Sequence, residues 1–140
     1  MPIFGGISRE TLEFFIDRAS ILELSAGEYF FREGDDAVSM FVLEHGNVAV
    51  SKQWNGEDHP LKSFSQGACF GEMALIDLYP RSASVMATEP CSAIELSNTN
   101  LLELFQHNLE QFTIIQMNIA REISRRLRSA DKQLFQSRFS

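Results

Sequence analysis

The sequence predicts a mainly β domain with flanking helices. The predicted fold is an antiparallel β-roll (a double-stranded β-helix, jelly-roll-like) with a short internal helix, one helix before the roll and two after it. Turn signals recur about every eight to twelve residues over residues 20–97, which is typical of antiparallel sandwiches and barrels. Apolar residues recur at helical spacing on either side of that region. The 140 residues suffice for one domain over 1–140, with no internal repeat or linker.

Helical periodicity places one helix before the roll and two after it. Over residues 8–19, Leu12, Phe15 and Ile16 recur at helical spacing, and Ser8 is suited to cap the helix. Residues 98–136 hold a helix that ends near residue 108 and a longer one from about Glu110. We expect the start of the long helix to pack on the roll and its end to be available for a homodimer. Its apolar stripe consists of Phe112, Ile115, Ile119, Ile123, Leu127, Ala130 and Leu134.

Short apolar segments bounded by turn residues predict the strands. Pro60 lacks a backbone donor and indicates an edge strand or a bulge. Trp54 beside Asn55-Gly56 indicates a hairpin. The predicted strands cover residues 21–24, 29–31, 38–43, 48–54, 61–64, 85–87 and 93–96.

Charge divides the chain into an acidic and a basic part. The net charge is −7, which argues against direct binding of nucleic acid. Residues 1–110 carry six basic and seventeen acidic side chains (−11), whereas residues 111–140 carry six basic and two acidic ones (+4). The basic end is either a solvated helix face or a segment that docks on an acidic surface, such as the protein's own. An unknown protein partner is expected to receive the signal.

Several other classes of function are disfavoured. No apolar run approaches the ~20 residues that span a bilayer and no secretory leader is visible, so we expect a cytoplasmic protein without a membrane contact. Cys69 and Cys91 are too few for a disulfide framework and are expected to be small buried side chains. His45, His59 and His107 lack metal-ligand spacing. We therefore expect no metal, no cofactor and no enzymatic activity.

The segment over residues 70–85 interrupts the strand pattern and carries the chemistry. Residues 73–78 are apolar enough for a short helix, whose first N–H groups would suit an anion. Arg81 follows, and a guanidinium donates two parallel hydrogen bonds to a phosphate. Glu72, when ionised, only accepts and so suits a hydroxyl that donates. Gly71 allows close approach of the backbone.

This segment resembles a known binding motif. Phe70-Gly71-Glu72-Met73-Ala74-Leu75, a short insert and Pro80-Arg81-Ser82-Ala83-Ser84-Val85 are similar to the phosphate-binding cassette of cyclic nucleotide-binding domains. These include domains of the catabolite activator and cyclic-AMP-dependent protein kinase regulatory subunit type. The resemblance covers about residues 21–134, and it departs from the family at Gly67-Ala68-Cys69, where Gly-Asp is common. It implies a sensor that signals by repositioning its C-terminal helix.

The resemblance also implies a role for individual residues. Arg81 would pair with the cyclic phosphate, helped by Ser82 and by the backbone of Ala83. Glu72 and the backbone of Gly71 would hold the ribose 2′-hydroxyl. The apolar wall beside the base and sugar would consist of Val50, Leu61 and Met73. The C-terminal helix would cover the base near Arg128, Ser129 and Asp131.

The sequence leaves alternatives for the identity of the ligand and for the function of the domain. Ser82 after the cassette arginine favours cyclic AMP, with cyclic GMP as the second choice, by resemblance to family members. An orphan interaction module without a ligand is one alternative function. The sensor part of a catabolite-activator-type transcription regulator, here without its DNA-binding domain, is another. In a purely structural alternative, Arg81 and Glu72 form a salt bridge with each other and have no role in binding.

Overall fold

Two four-stranded antiparallel sheets form the body of the protein. The computed structural model describes residues 2–77 and 79–139. One sheet has the strand order β1-β8-β3-β6 and the other β2-β7-β4-β5, which confirms the predicted β-roll. The strands are β1 Ser20–Leu24, β2 Tyr29–Phe31, β3 Ser39–His45, β4 Val48–Trp54, β5 Glu57–Phe64, β6 Cys69–Phe70, β7 Ser84–Ala87 and β8 Cys91–Ser97.

Strand β3 separates two hydrophobic cores. Met40 and Val42 pack against the helices, while Phe41 and Leu43 point into the roll. Since successive side chains of a strand point to opposite faces, both faces of β3 are buried and its sequence is apolar without alternation. The inner core of the roll is closed by aromatic contacts among Phe30, Phe31, Phe41, Phe64 and Phe70.

Three α-helices flank the sheets: α1 Arg9–Arg18, α2 Asn98–His107 and α3 Leu109–Phe139. The Ser8 hydroxyl caps α1 by accepting from the Thr11 N–H at 3.2 Å. The buried side of α1 differs from the stripe that periodicity selects, because Phe14 stacks on His107 and Phe15 contacts Phe4. As a result Leu12 and Ile16 are largely exposed.

Helix α3 is packed on the roll at its start and exposed at its end. Ile115 and Ile119 are fully buried. The Asn118 amide donates to the carbonyl oxygens of Ile3, at 3.1 Å, and Gly5, at 2.7 Å, and so ties the N-terminal turn to the helix. Every described residue from Leu127 onward is exposed. Among the described helices, none combines the length and apolar character needed to cross a membrane.

The β4–β5 hairpin places β5 at one edge of its sheet. Trp54 pairs with Glu57 across the predicted turn, and Asn55 there adopts a positive φ of 52°. Val50 is opposite Lys62 whereas Ser51 is opposite Pro60, so Leu61 is the extra residue of a bulge. Pro60 therefore lies both on an edge strand and at a bulge.

The cysteines and histidines lie where the sequence analysis expects them. Cys69 and Cys91 are buried free thiols. His45, His59 and His107 are exposed. No cluster of metal-ligating side chains occurs within residues 2–77 and 79–139.

Removing the Ile119 side chain tests how α3 is held on the roll. We expect Ile119→Ala to lower the free energy of unfolding by about 2–5 kcal/mol, because a fully buried side chain leaves a cavity. The measurement is equilibrium urea unfolding. Leu102→Ala, on the exposed side of α2, is the matched control and should change that free energy by less than about 1 kcal/mol. Equal losses in the two variants would contradict this packing.

Candidate functional site

A cavity of about 630 Å³ opens between the β2-β7-β4-β5 sheet, the segment 71–83 and helix α3. One 3-10 turn, Glu72–Leu75, replaces the short helix predicted over residues 73–78; we call it the cassette turn. After the cassette turn, the Asp77 carboxylate accepts from the Tyr79 N–H. Residue 78 lies outside the described residues. With only four residues the cassette turn has little dipole, so it does not supply the helix N-terminus that the sequence analysis expected for an anion.

Arg81 is buried at the floor of the cavity, with 8% of its surface exposed. Its Nη2 donates to the Ser39 carbonyl at 2.7 Å and its Nη1 to the Gly71 carbonyl at 3.3 Å. The guanidinium carbon lies 4.0 Å from the centroid of the Phe31 ring. The Arg81 Nε–H is the one buried side-chain polar group without a hydrogen-bond partner among the described residues.

The backbone around Arg81 holds this side chain in place. The Arg81 carbonyl accepts from the Gly34 N–H and the Arg81 N–H donates to the Asp35 carbonyl, both at 2.8 Å. Gly71 has φ +78°, and a Cβ there would lie 2.8 Å from Nη1 of Arg81. Glycine is therefore required at residue 71 both by conformation and by contact with the guanidinium.

Glu72 does not pair with Arg81 but with Arg126 of helix α3. The Arg126 Nη1 donates to the Glu72 carboxylate at 2.6 Å, its Nη2 to the Cys69 carbonyl at 2.5 Å and its Nε to the Glu122 carboxylate at 2.9 Å. Arg125 also hydrogen-bonds Glu122. Glu72 and Glu122 are both buried. Two cations thus balance two buried carboxylates where α3 meets the cassette turn.

Two pKa shifts follow from these contacts. Burial alone would raise the pKa of Glu122, but hydrogen bonds from Arg125 and the charge of Arg126 outweigh it, and the pKa lies below its ordinary value of 4.5. Burial lowers the pKa of Arg81, opposed by the charges of Glu95 and Asp35. A guanidinium stays charged even so.

Most residues proposed from the sequence meet at this cavity. Gly71, Glu72, Met73, Arg81, Ser82, Ala83 and Val50 all line it. Leu61 is a correction: it is the bulged residue of β5, it is exposed, and Lys62 and Phe64 line the cavity instead. Because side chains alternate along a strand, the bulge decides which residues of β5 face inward.

The residues expected to cover the base do not line the cavity. Arg128, Ser129 and Asp131 are exposed on α3, and Ile123, Arg126 and Leu127 occupy the cavity wall. Asp131 lies one helical turn beyond Leu127, so covering a ligand with it requires movement of α3. Their role as a cover therefore stays a prediction.

Sequence reasoning missed Arg126 and Lys62. The spacing of Glu122 and Arg126, at i and i+4 beside the apolar stripe, was an available signal for an ion pair on the packed side of the helix. No comparable signal existed for Lys62, since its orientation depends on the bulge.

The model of the cyclic nucleotide-binding domain matches residues 21–108. The chain belongs to the family of cyclic nucleotide-binding domains. This family consists of regulatory and sensor domains that bind cyclic nucleotides. The matched residues 21–108 end directly after α2. The cavity with Arg81 and Glu72 lies between this matched part and helix α3.

Relatives place the domain in several larger proteins. It is 34% identical to a cAMP-dependent protein kinase regulatory subunit of Emericella nidulans over 74% of this chain and 25% of that protein. It is 28% identical to the cyclic AMP receptor protein of Thermus thermophilus over 95% of this chain and 60% of that protein. The Thermus thermophilus catabolite activator protein has the same fold, with a TM-score of 0.85 and 27% identity over 99% of this chain and 64% of that one. The chain thus spans only part of these relatives.

Glu122 should make the stability of the domain depend on acid pH. Because its pKa is lower in the folded protein, its contribution is present above about 4.5 and is lost as the pH falls through the folded value. We expect Glu122→Gln to cost about 2 kcal/mol at neutral pH and less below pH 4.5. Urea unfolding across a pH series measures this difference.

The exposed Glu110→Gln, in the first turn of α3, is the matched control and should follow the wild-type pH profile. A difference between wild type and Glu122→Gln that stays constant with pH would contradict the assignment.

Proposed function

We propose that this domain is a non-catalytic cytoplasmic sensor, that it binds a cyclic nucleotide, cyclic AMP first, in the cavity at Arg81, and that it signals through helix α3. The observation that carries the proposal is the state of Arg81. This guanidinium is buried, no carboxylate pairs with it among the described residues, and its Nε–H has no partner. The charges of Glu95 and Asp35 act on Arg81 only without direct contact, so burying this cation is costly, and a bound phosphate monoanion would offset that cost.

The ribose of the proposed ligand suits the Glu72 carboxylate. A ribose 2′-hydroxyl donates, and an ionised carboxylate offers about four lone-pair sites. Glu72 can therefore accept from the ligand while it keeps the hydrogen bond from Arg126. Since Arg126 belongs to α3, a ligand on Glu72 contacts the group that fixes the helix. A ligand with different affinity for two positions of α3 shifts the population between them.

The preference for cyclic AMP rests on Ser82 and on the relatives. Ser82 lines the cavity directly after Arg81. The chain resembles proteins named for cyclic AMP as well as a human cGMP-dependent protein kinase, 34% identical over 64% of this chain. Cyclic GMP therefore remains the second candidate ligand.

Substitution of Arg81 tests the proposed binding site. We expect wild-type protein to bind cyclic AMP and Arg81→Leu to lose about 100-fold or more in affinity, because hydrogen bonds to charged groups contribute about 1.5–3 kcal/mol each. Isothermal titration calorimetry with cyclic AMP and cyclic GMP measures both. Arg32→Leu is the matched control, since it removes an exposed guanidinium that also lies over an aromatic ring, that of Tyr29.

Folded wild-type protein, free of copurified nucleotide, that shows no binding of either ligand would overturn the sensor proposal. The domain would then be treated as an orphan interaction module.

A homodimer through α3 is proposed as part of the output. Leu127, Ala130 and Leu134 form an exposed stripe on α3, and Leu127 also lines the cavity. Arg121, Arg125, Arg128 and Lys132 lie on the opposite side of the helix at a period of 3.6, whereas Asp131 and Arg138 lie beside the stripe. A second copy of the same helix could cover this stripe as a coiled coil.

Disruption of the stripe tests the homodimer. We expect the wild-type protein to have about twice its chain mass of 15.9 kDa in solution, and Leu134→Glu to have the mass of one chain. A charge buried at the helix contact is strongly unfavourable, which is the reason for this change. Sedimentation equilibrium measures the mass. Leu102→Glu on the exposed side of α2 is the control and should stay dimeric; a wild-type protein of one chain mass would contradict the proposal.

A further inference from the structure

Glu95 is a half-buried carboxylate of strand β8 that forms no ion pair within residues 2–77 and 79–139. It lies directly opposite Phe41 in the pairing of β3 with β8. Because residues opposite each other project from the same face of a sheet, Glu95 points to the same inner side of the roll as Phe41. A carboxylate that is partly removed from water needs a donor or a cation nearby.

Ser39 connects Glu95 to the buried cation of the cavity. The Ser39 hydroxyl donates to the Glu95 carboxylate at 2.7 Å, and the Ser39 carbonyl accepts from Nη2 of Arg81 at 2.7 Å. Ser39 itself is only 2% exposed. Neither Ser39 nor Glu95 lines the cavity. The carboxylate is therefore linked to the guanidinium through one buried residue and has no contact with the ligand site.

The charge of Glu95 offsets part of the cost of burying Arg81. Burial lowers the pKa of Arg81, and of the two carboxylates whose charges act against this shift, Glu95 has the larger effect and Asp35 the smaller. The Asp35 carboxylate is exposed and accepts from the Arg32 N–H at 2.9 Å, so water screens its charge. Glu95 is thus the main counter-charge of the guanidinium, although it does not touch it.

A counter-charge in this position has opposite effects on the empty and the occupied site. In the ligand-free domain it makes the buried guanidinium less unfavourable. When an anion binds at Arg81, the anion and Glu95 share one cation and repel each other through a medium that screens less than water does. Removal of the charge at residue 95 should therefore weaken the empty fold and strengthen the binding of an anion.

We propose that Glu95 is a positioning residue that acts on Arg81 through Ser39, compensating the guanidinium in the ligand-free domain and lowering the affinity for the anion that binds there. The inference rests on the proposed function, since the anion is taken to be the phosphate of a cyclic nucleotide. It assigns control of the affinity to a side chain outside the cavity.

The first test is calorimetry with cyclic AMP and cyclic GMP on wild type and three variants. Glu95→Gln keeps an oxygen that accepts from the Ser39 hydroxyl but removes the charge, and we expect it to bind about tenfold more tightly. Ser39→Ala removes the link and leaves the charge, and it should bind at least about threefold more weakly. Glu23→Gln, an exposed position of β1 in the same sheet, is the control of equal net charge and should match wild type.

The second test is a double-mutant cycle of urea unfolding without ligand. We expect Glu95→Gln to lower the urea midpoint by about 0.5 M when Arg81 is present. In the Arg81→Leu background the same change should leave the midpoint unchanged or raise it, because the cation that it compensates is gone. A side chain that served only to pack the fold would lower both midpoints and would not strengthen binding.

The outcomes separate this inference from the proposed function. Glu95→Gln that binds no more tightly than wild type, or equal midpoint changes in the two backgrounds, would overturn the inference and leave the nucleotide site intact. Ser39→Ala that binds as wild type does would overturn the role of Ser39 as the link. Wild-type protein that binds neither nucleotide would overturn the proposed function, whereas the unfolding cycle would still decide whether Glu95 compensates Arg81.

Discussion

Arg126 joins helix α3 to the cassette turn, and the arrangement at the mouth of the cavity depends on this side chain. It lies between two buried carboxylates, Glu72 and Glu122, and also reaches the Cys69 carbonyl. With Arg125 included, the cluster is neutral in total charge. A buried network of this kind contributes little net stability when complete, yet the loss of one member leaves a charge without a partner. The ion pairs therefore fix where α3 lies more than they strengthen the fold.

Charged side chains on the α3 side of the cavity have partners of opposite charge, whereas Arg81 on its floor does not. Where α3 meets the cassette turn, the buried carboxylates of Glu72 and Glu122 each have an arginine partner. On the floor, Arg81 is held by backbone carbonyls and by the Phe31 ring, none of which carries a full negative charge. Carbonyl dipoles orient a guanidinium but neutralise it only partly. The cost of keeping Arg81 buried is offset by the two cores on either side of β3, which hold its surroundings rigid.

The sequence predicted what depends on local chemistry and missed what depends on packing between distant segments. Ser8 and the turn at Asn55-Gly56 have local signatures, and so does the spacing of Glu72 and Arg81. The orientation of Leu61 could not be predicted, because a bulge opposite β4 reverses the alternation of β5. The buried side of α1 was likewise set by contacts with residues about ninety positions away. The helix predicted over residues 73–78 is a shorter 3-10 turn that ends at Leu75, and the Asp77 carboxylate beyond it binds the chain's own backbone.

Cys69 gives the molecule a built-in reporter of helix position. Its thiol is buried, its Sγ lies 3.8 Å from Nη2 of Arg126, and burial raises its pKa to about 11. Burial keeps this thiol protonated at neutral pH, so it reacts slowly while α3 stays docked. Departure of α3, which supplies Arg126 and part of the core around Cys69, would open it to water. When Cys91 is changed to serine, Cys69 is the remaining thiol. Its rate of alkylation, measured by mass spectrometry, then reports the rate at which α3 undocks, without any attached dye.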